Sequence, residues 1–339
     1  MAVSLDDLTA KVDAGEPLSD RDIAVLGSSR DIITLGMLAT TVRRRLRGNE
    51  VTYVRVADLK VSTTTGGTAT GGATTGGTTT GGATTGGATT GGATTGGATT
   101  DVVPTFRSAD SAGEVRIFQT PHTLDAAIAV VEKARDLAGA VPLSAFCLFE
   151  LGKLPEGLPV VLAALRKAGL EIITQAPIDR LSAPERSLEA LADAGLQLAR
   201  LTVNETPDRE WTAVCRDVAA LQTRLRTIRA FAPLARKIDA TQPTTGYEDV
   251  KRIAIARVLA NSVDIIQVDW ALYGPKLAQV ALTFGADDID SVSPEDDPSQ
   301  GRRRSPVEEI RRSIQAAGFD PVERDGNFGH RPSSIVERH

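Results

Sequence analysis

Between residues 30 and 47 the apolar positions Ile32, Leu35, Leu38, Val42 and Leu46 recur every three or four residues, the spacing of one face of an α-helix. A shorter helix over 20–26 has Ser19 as its cap. Arg43, Arg44, Arg45, Arg47 and then Gly48 supply cations at the negative helix end and a stop beyond it, so this basic run is read as structural. The apolar run 51–56 reads as a strand. From 114 onward the period alternates between extended and helical. Strands are expected at 115–119, 143–149, 172–174, 198–203, 228–231 and 265–269. The helices between them are expected at 124–137, 158–168, 206–226, 247–259 and 275–284, with a last one over 306–317. Ser182 with Pro184 and Glu185 marks the start of one more helix, in the form of a capping box. Strands separated in series by helices predict a parallel sheet with right-handed crossovers, and so many units favour a TIM-type (β/α) barrel. An open doubly wound sheet is the alternative, but no G-x-G-x-x-G turn follows an early strand.

Residues 62–100 break this pattern. After Ser62 they contain only Thr, Gly and Ala, with Gly-Gly pairs starting at 66, 71, 76, 81, 86, 91 and 96. Nothing in the tract can fill a core, and so much glycine disfavours helix and sheet alike. It reads as a flexible linker inserted where a barrel helix belongs, which predicts an incomplete or open barrel. The expected organisation is N-terminal helices and a first strand in 1–61, the repeat in 62–100, the barrel body in 101–325 and a tail in 326–339.

Composition narrows the chemistry. Lys and Arg number 38 against 43 Asp and Glu, and the basic residues form no stripe, which argues against a nucleic-acid binder. No apolar run reaches the roughly 20 residues that span a bilayer, so a cytoplasmic protein without membrane contact is expected. Two cysteines, Cys147 and Cys215, and three histidines are too few for a disulfide framework or a zinc site, so no metal ligands are assigned.

Barrel enzymes place ligands at the C-terminal ends of their strands. Read that way, the candidate pocket holds Glu150, Asp179, Gln267, Asp269, Trp270, Asp287 and Asp288, carboxylates and amides suited to a polar small molecule or to acid–base work. The stretch "TTGYEDVKRIAIARVLANSVDIIQVDWALYGPKLAQVALTFGADDID" and the later "GFDPVERD" resemble the C-terminal part of the radical SAM enzymes of menaquinone synthesis. Aminofutalosine synthase, dehypoxanthine futalosine cyclase and the deazaflavin synthases are in that group. "SSRDIITLGMLATTVRRRLRGNEVTYV", "LSAFCLFEL" and "LAALRKAGLEI" resemble its earlier parts.

The resemblance implies a [4Fe-4S] cluster on a C-x-x-x-C-x-x-C loop after the first strand, with S-adenosylmethionine bound to its open iron. Here that loop is "VADLKVSTTTGGTATGG", without a cysteine, and the family's glycine-rich turn is "TQAPIDRL". Glu150, Asp287 and Asp288 match acidic positions of the family, and Asp179 is the nearest match to a fourth. These departures lead to the expectation of a cluster-less, catalytically degenerate relative that needs no cofactor, retained for binding or assembly. A protein partner would cover the open barrel edge. The alternatives are a non-radical enzyme using the same carboxylates, a role for the threonine tract itself, and an active radical SAM enzyme should the repeat be a sequence error.

Overall fold

The computed structural model describes residues 5–64, 99–104, 109–205, 210–237, 246–295 and 306–331. Three helices lead in: α1 (Leu5–Ala14), α2 (Asp20–Ser28) and α3 (Ile32–Arg47). Ser19 caps α2 as expected, and Asp22 returns the bond by accepting from the Ser19 backbone N–H at 2.8 Å. The same carboxylate accepts from Lys11 Nζ at 2.7 Å, tying α1 to α2. Two of the arginines after Val42 have structural contacts. Arg43 is buried and donates to the Gly48 carbonyl, while Arg45 donates to the Val12 and Asp13 carbonyls at the end of α1.

The strands are β1 (Glu50–Thr64), β2 (Thr99–Pro104), β3 (Glu114–Ile117), β4 (Leu143–Cys147), β5 (Ile172–Pro177), β6 (Gln197–Val203), β7 (Ile228–Ala235), β8 (Ile265–Asp269), β9 (Asp288–Val292) and β10 (Asp320–Glu323). Helices α4 (Leu124–Ala138), α5 (Leu148–Leu151), α6 (Leu158–Lys167), α7 (Pro184–Asp193), α8 (Trp211–Leu225), α9 (Gly246–Leu259), α10 (Trp270–Leu282) and α11 (Pro306–Ala316) follow the strands in chain order. The parallel order β1-β3-β4-β5-β6-β7-β8-β9 returns to its start, because β9 also pairs with β1 at Thr52↔Asp288 and Tyr53↔Ile289. The fold is therefore a closed eight-stranded parallel barrel with helices outside it. Strands of a barrel are covered on both faces, and β3 and β8 are accordingly buried at every position, the charged Glu114 and Arg116 of β3 included.

The expectation of an open wall is corrected by the length of β1. Its successive segments pair with β10 (Glu50 to Tyr53), β9 (Thr52 to Arg55), β3 (Val56 to Asp58) and antiparallel β2 (Leu59 to Thr64). One strand thus spans the place where the gap was expected, and the eight parallel strands close on themselves. Among the described residues no α-helix stands between β1 and β3. In its place β2 packs on α4, with Asp101 paired to Lys133.

Both ends of the Thr/Gly/Ala tract are strand, since Thr63↔Thr100 and Thr64↔Thr99 are register partners. Threonine is β-branched and tolerates this, which the glycine-based reading of 62–100 overlooked. The rest of the tract lies outside the described residues. Because Thr64 and Thr99 sit opposite each other, replacing 65–98 with Asn-Gly should give a folded protein. Shortening the loop by about four halvings, each worth roughly 0.6 kcal/mol, should raise stability by on the order of 2 kcal/mol. Denaturant melts of the two proteins check this; a less stable deletion variant would refute the β1–β2 register.

Other differences have local causes. Ala183, not Ser182, is the N-cap of α7, because Pro184 opens the helix and keeps the residue before it out of the helical region. Helix α8 starts at Trp211, and residues 206–209 and 238–245, including the caps expected at Thr206 and Thr245, lie outside the described residues. Strand β4 ends at Cys147 because Phe146, fully buried, takes φ 69° and turns the chain into α5. Among the described residues no helix is long and apolar enough to cross a membrane.

Candidate functional site at the barrel mouth

The barrel interior is not wholly apolar. Glu114 and Arg116 from β3, Ser144 from β4, Thr174 from β5, Arg200 from β6 and Asp290 from β9 are all buried and meet inside it. Arg116 donates to both Glu114 oxygens (2.9 and 2.8 Å) and to Asp290 at 2.8 Å. Arg200 reaches the same two carboxylates. Burial by itself would raise the Asp290 and Glu114 carboxyls, but Arg116 and Arg200 outweigh it and hold both below the ordinary range.

Above this layer, at the C-terminal ends of the strands, lies a cavity of about 530 Å³, within the range of roughly 300–1,000 Å³ usual for small-molecule sites. Phe118 and Phe149 bring aromatic faces to it, and Arg180, Arg236 and Lys237 bring cations. Thr202 and Gln175 also line it, and Thr202 Oγ1 and Gln175 Oε1 are buried without a hydrogen-bond partner. Buried polar atoms are normally satisfied by protein or water, so these two mark where the wall of the cavity has unused hydrogen-bonding capacity.

The cation–aromatic geometry is specific. Arg180 and Lys153 lie over the Phe149 ring at 5.1 and 4.3 Å, and Arg236 and Arg116 lie 5.8 and 5.4 Å from the Phe118 ring. Cys147 lines the cavity too, and burial pushes its thiol up, so it is a poor nucleophile there.

The seven carboxylate, amide and indole positions singled out in the sequence do not share one site. Glu150 lines the cavity and pairs with Lys153 at 2.7 Å. Asp179 sits at the rim and accepts from the Asn204 and Glu205 backbone N–H groups at 2.7 and 3.0 Å, which makes it a clamp between two loops. Asp269 caps α10 through Leu272 N–H and pairs with Arg236, so it borders the cavity through that arginine; Trp270 is buried as the first residue of α10.

Gln267, Asp287 and Asp288 belong to the other end. Asp288 is the first residue of β9; it accepts from Gln267, from Thr52 and from both Nε and Nη2 of Arg324. Asp287 precedes β9 and pairs with Arg257 of α9 at 2.7 Å. Both carboxylates stand at the N-terminal end of β9, and the barrel's depth separates that end from the mouth. Phe118, Arg180, Thr202, Arg236 and Lys237 were not singled out. Extending the apolar run 228–231 through to Ala235 would have put Arg236 at a strand end.

Residues 227–336 match the C-terminal region of the CofH/MqnC family. The chain is 40% identical over 102 residues to 5-amino-6-(D-ribitylamino)uracil--L-tyrosine 4-hydroxyphenyl transferase 2 of Methanosarcina barkeri, covering 27% of this chain and 26% of that protein. It is 34% identical over 94 residues to aminodeoxyfutalosine synthase of Streptomyces coelicolor, covering 26% and 24%. The match therefore spans about a quarter of these relatives' length. Among solved structures, methylornithine synthase (PylB) superposes with a TM-score of 0.57 at 12% identity over 93% of this chain and 97% of that one. The hydrogenase maturase HydG of Carboxydothermus hydrogenoformans superposes with a TM-score of 0.59 at 11% identity, covering 94% and 79%. At these identities the structures show the shared barrel fold.

These matches correct the expectation that no cofactor is involved. The sequence relatives lie in the radical SAM group, whose members use a [4Fe-4S] cluster and S-adenosylmethionine, so those are the groups against which this site has to be tested. By its residues 227–336 the chain is similar to the C-terminal region of the CofH/MqnC family, and over less than a third of its length to the aminodeoxyfutalosine synthases of Streptomyces coelicolor and Thermus thermophilus.

Proposed function

We propose that this chain is a ligand-binding barrel descended from the aminodeoxyfutalosine synthase group, which holds a nucleoside carrying an amino acid, of the S-adenosylmethionine kind, without cleaving it reductively. A cavity at the barrel mouth that brings two aromatic rings, three cations and a carboxylate together carries this reading, and the unpartnered Thr202 Oγ1 and Gln175 Oε1 in its wall support it. The two groups implied by the family fit these residues differently.

The cluster does not fit. It needs three or four thiolates, and the chain has two cysteines, both buried and both with thiols pushed up by that burial. Among the described residues no three His, Cys, Asp or Glu side chains are grouped to hold a metal.

S-adenosylmethionine fits. Phe118 and Phe149 can flank a base, Thr202 and Gln175 can bond hydroxyl or amino hydrogens, Glu150 can face an ammonium, and Arg180 and Arg236 can face a carboxylate. When bound, it supplies a sulfonium group. The competing reading, a non-radical enzyme with Glu150, Asp179, Asp287 or Asp288 as acid or base, keeps only the first two near the cavity, because Asp287 and Asp288 are at the far end of the barrel.

Titration calorimetry with S-adenosylmethionine should give saturable binding at one site per chain, and anaerobic addition of iron and sulfide should build no stoichiometric cluster. Absence of binding, or a stoichiometric cluster with turnover, would overturn the proposal.

A further inference from the structure

Resting on that reading, we infer that Arg236, oriented by Asp269, is the anchor for a carboxylate on the ligand. The backbone around Arg236 is rigid. β7 pairing continues past the strand's end, with Arg236 N–H donating to the Val203 carbonyl at 2.9 Å and Lys237 N–H to the Asn204 carbonyl at 2.8 Å. The Tyr273 hydroxyl holds the preceding Ala235 carbonyl.

The side chain is fixed as well. Both terminal nitrogens of Arg236 donate to Asp269 Oδ2, each at 3.2 Å. Asp269 is itself immobilised, accepting from Leu272 N–H on Oδ1 at 2.9 Å and from the Ser291 hydroxyl on Oδ2 at 3.1 Å. Ser291 adopts φ 59° and accepts from Arg116, so the chain of contacts runs from the mouth to the buried charge layer.

This arrangement leaves Arg236 available to an anion. A guanidinium has five N–H donors and Asp269 engages two of them through one oxygen. That oxygen is shared with Ser291, so it neutralises the cation only in part. The Arg236 side chain is 23% exposed and Asp269 only 8%, which puts the open side of the guanidinium toward the cavity it lines. A planar fork with one face held and the other open suits the two oxygens of a carboxylate, and Phe118 beside it favours a flat neighbouring group. Asp269 touches no ligand in this scheme; it is a positioning residue.

The test compares S-adenosylhomocysteine, which carries the amino-acid carboxylate, with 5′-methylthioadenosine, which lacks it. Wild type should bind the first more tightly, and Arg236→Gln should weaken it roughly 10- to 100-fold while leaving the second unchanged. Arg236→Lys should keep part of the preference. Asp269→Asn should narrow the preference at an unchanged affinity for 5′-methylthioadenosine, which a merely structural residue would not do. Thermal melts of each variant identify any that unfold, and the Lys variant then carries the comparison. Equal binding of both probes by wild type, or equal weakening of both by Arg236→Gln, overturns the anchor and leaves the binding barrel standing. Failure of wild type to bind either overturns both.

Discussion

Asp290→Ala is expected to cost about 3–5 kcal/mol, the range for removing one partner of a buried ion pair. Its two arginines, Arg116 and Arg200, are almost fully buried and would keep Glu114 as the carboxylate that both of them pair with. Combining Asp290→Asn with Arg200→Met should cost less than the sum of the single changes, because the second removes the charge that the first strands. Denaturant melts measure both.

The pH dependence follows from the same contacts. Asp290 and Glu114 both have folded-state values below the ordinary carboxylate range, despite burial that pushes the other way. A group depressed on folding contributes stability that is present above its unfolded value, about 4, and is lost as pH falls through the folded one. Wild type should therefore lose stability as pH falls below about 4, and Asp290→Asn should lose less over the same window because one of the two carboxylates is gone. A variant as steep as wild type would show that Asp290 is not held ionised by its arginines.

The alternation of strand and helix was legible from residue 114 onward, because parallel strands buried on both faces are short apolar runs bounded by caps and glycines. The interior charge layer was not. Arg116 and Arg200 occupy strand positions where a sequence pattern assigns charge to solvent, and only three-dimensional pairing with Glu114 and Asp290 reveals that they face inward. The "GADD" carboxylates were assigned to a strand end because β9 was not foreseen. With β9 beginning at Asp288, the same two residues start a strand, and a strand's start and end lie at opposite ends of a parallel barrel. Glu150 was placed at the mouth because 143–149 read as a strand that ends just before it; the strand stops at Cys147, and Glu150 sits in the short helix that follows. Arg236 escaped notice because the strand was read as 228–231, whereas it continues to Ala235.

Arg324→Met is expected to be as damaging as the loss of Asp290, but at the opposite end and without effect on the ligand. Arg324 Nε and Nη2 donate to the two oxygens of Asp288 at 2.6 and 2.9 Å, and its Nη1 donates to the Asp325 carbonyl. Its guanidinium also lies 4.0 Å from the Phe328 ring, so one side chain ties the segment after β10 into the barrel floor. Removing it leaves Asp288 buried with only Thr52 and Gln267 as donors, at a cost of about 3–5 kcal/mol. Lysine should rescue little, because a point charge cannot reproduce the two-pronged contact. Thermal melts and limited proteolysis around Asp325 to Arg331 should register the change. The affinity for S-adenosylhomocysteine, measured where the variant is folded, should stay at the wild-type value. A large loss of binding would return Asp288 to the ligand site; unchanged binding beside a large loss of stability assigns the floor carboxylates to the fold and leaves recognition to the mouth.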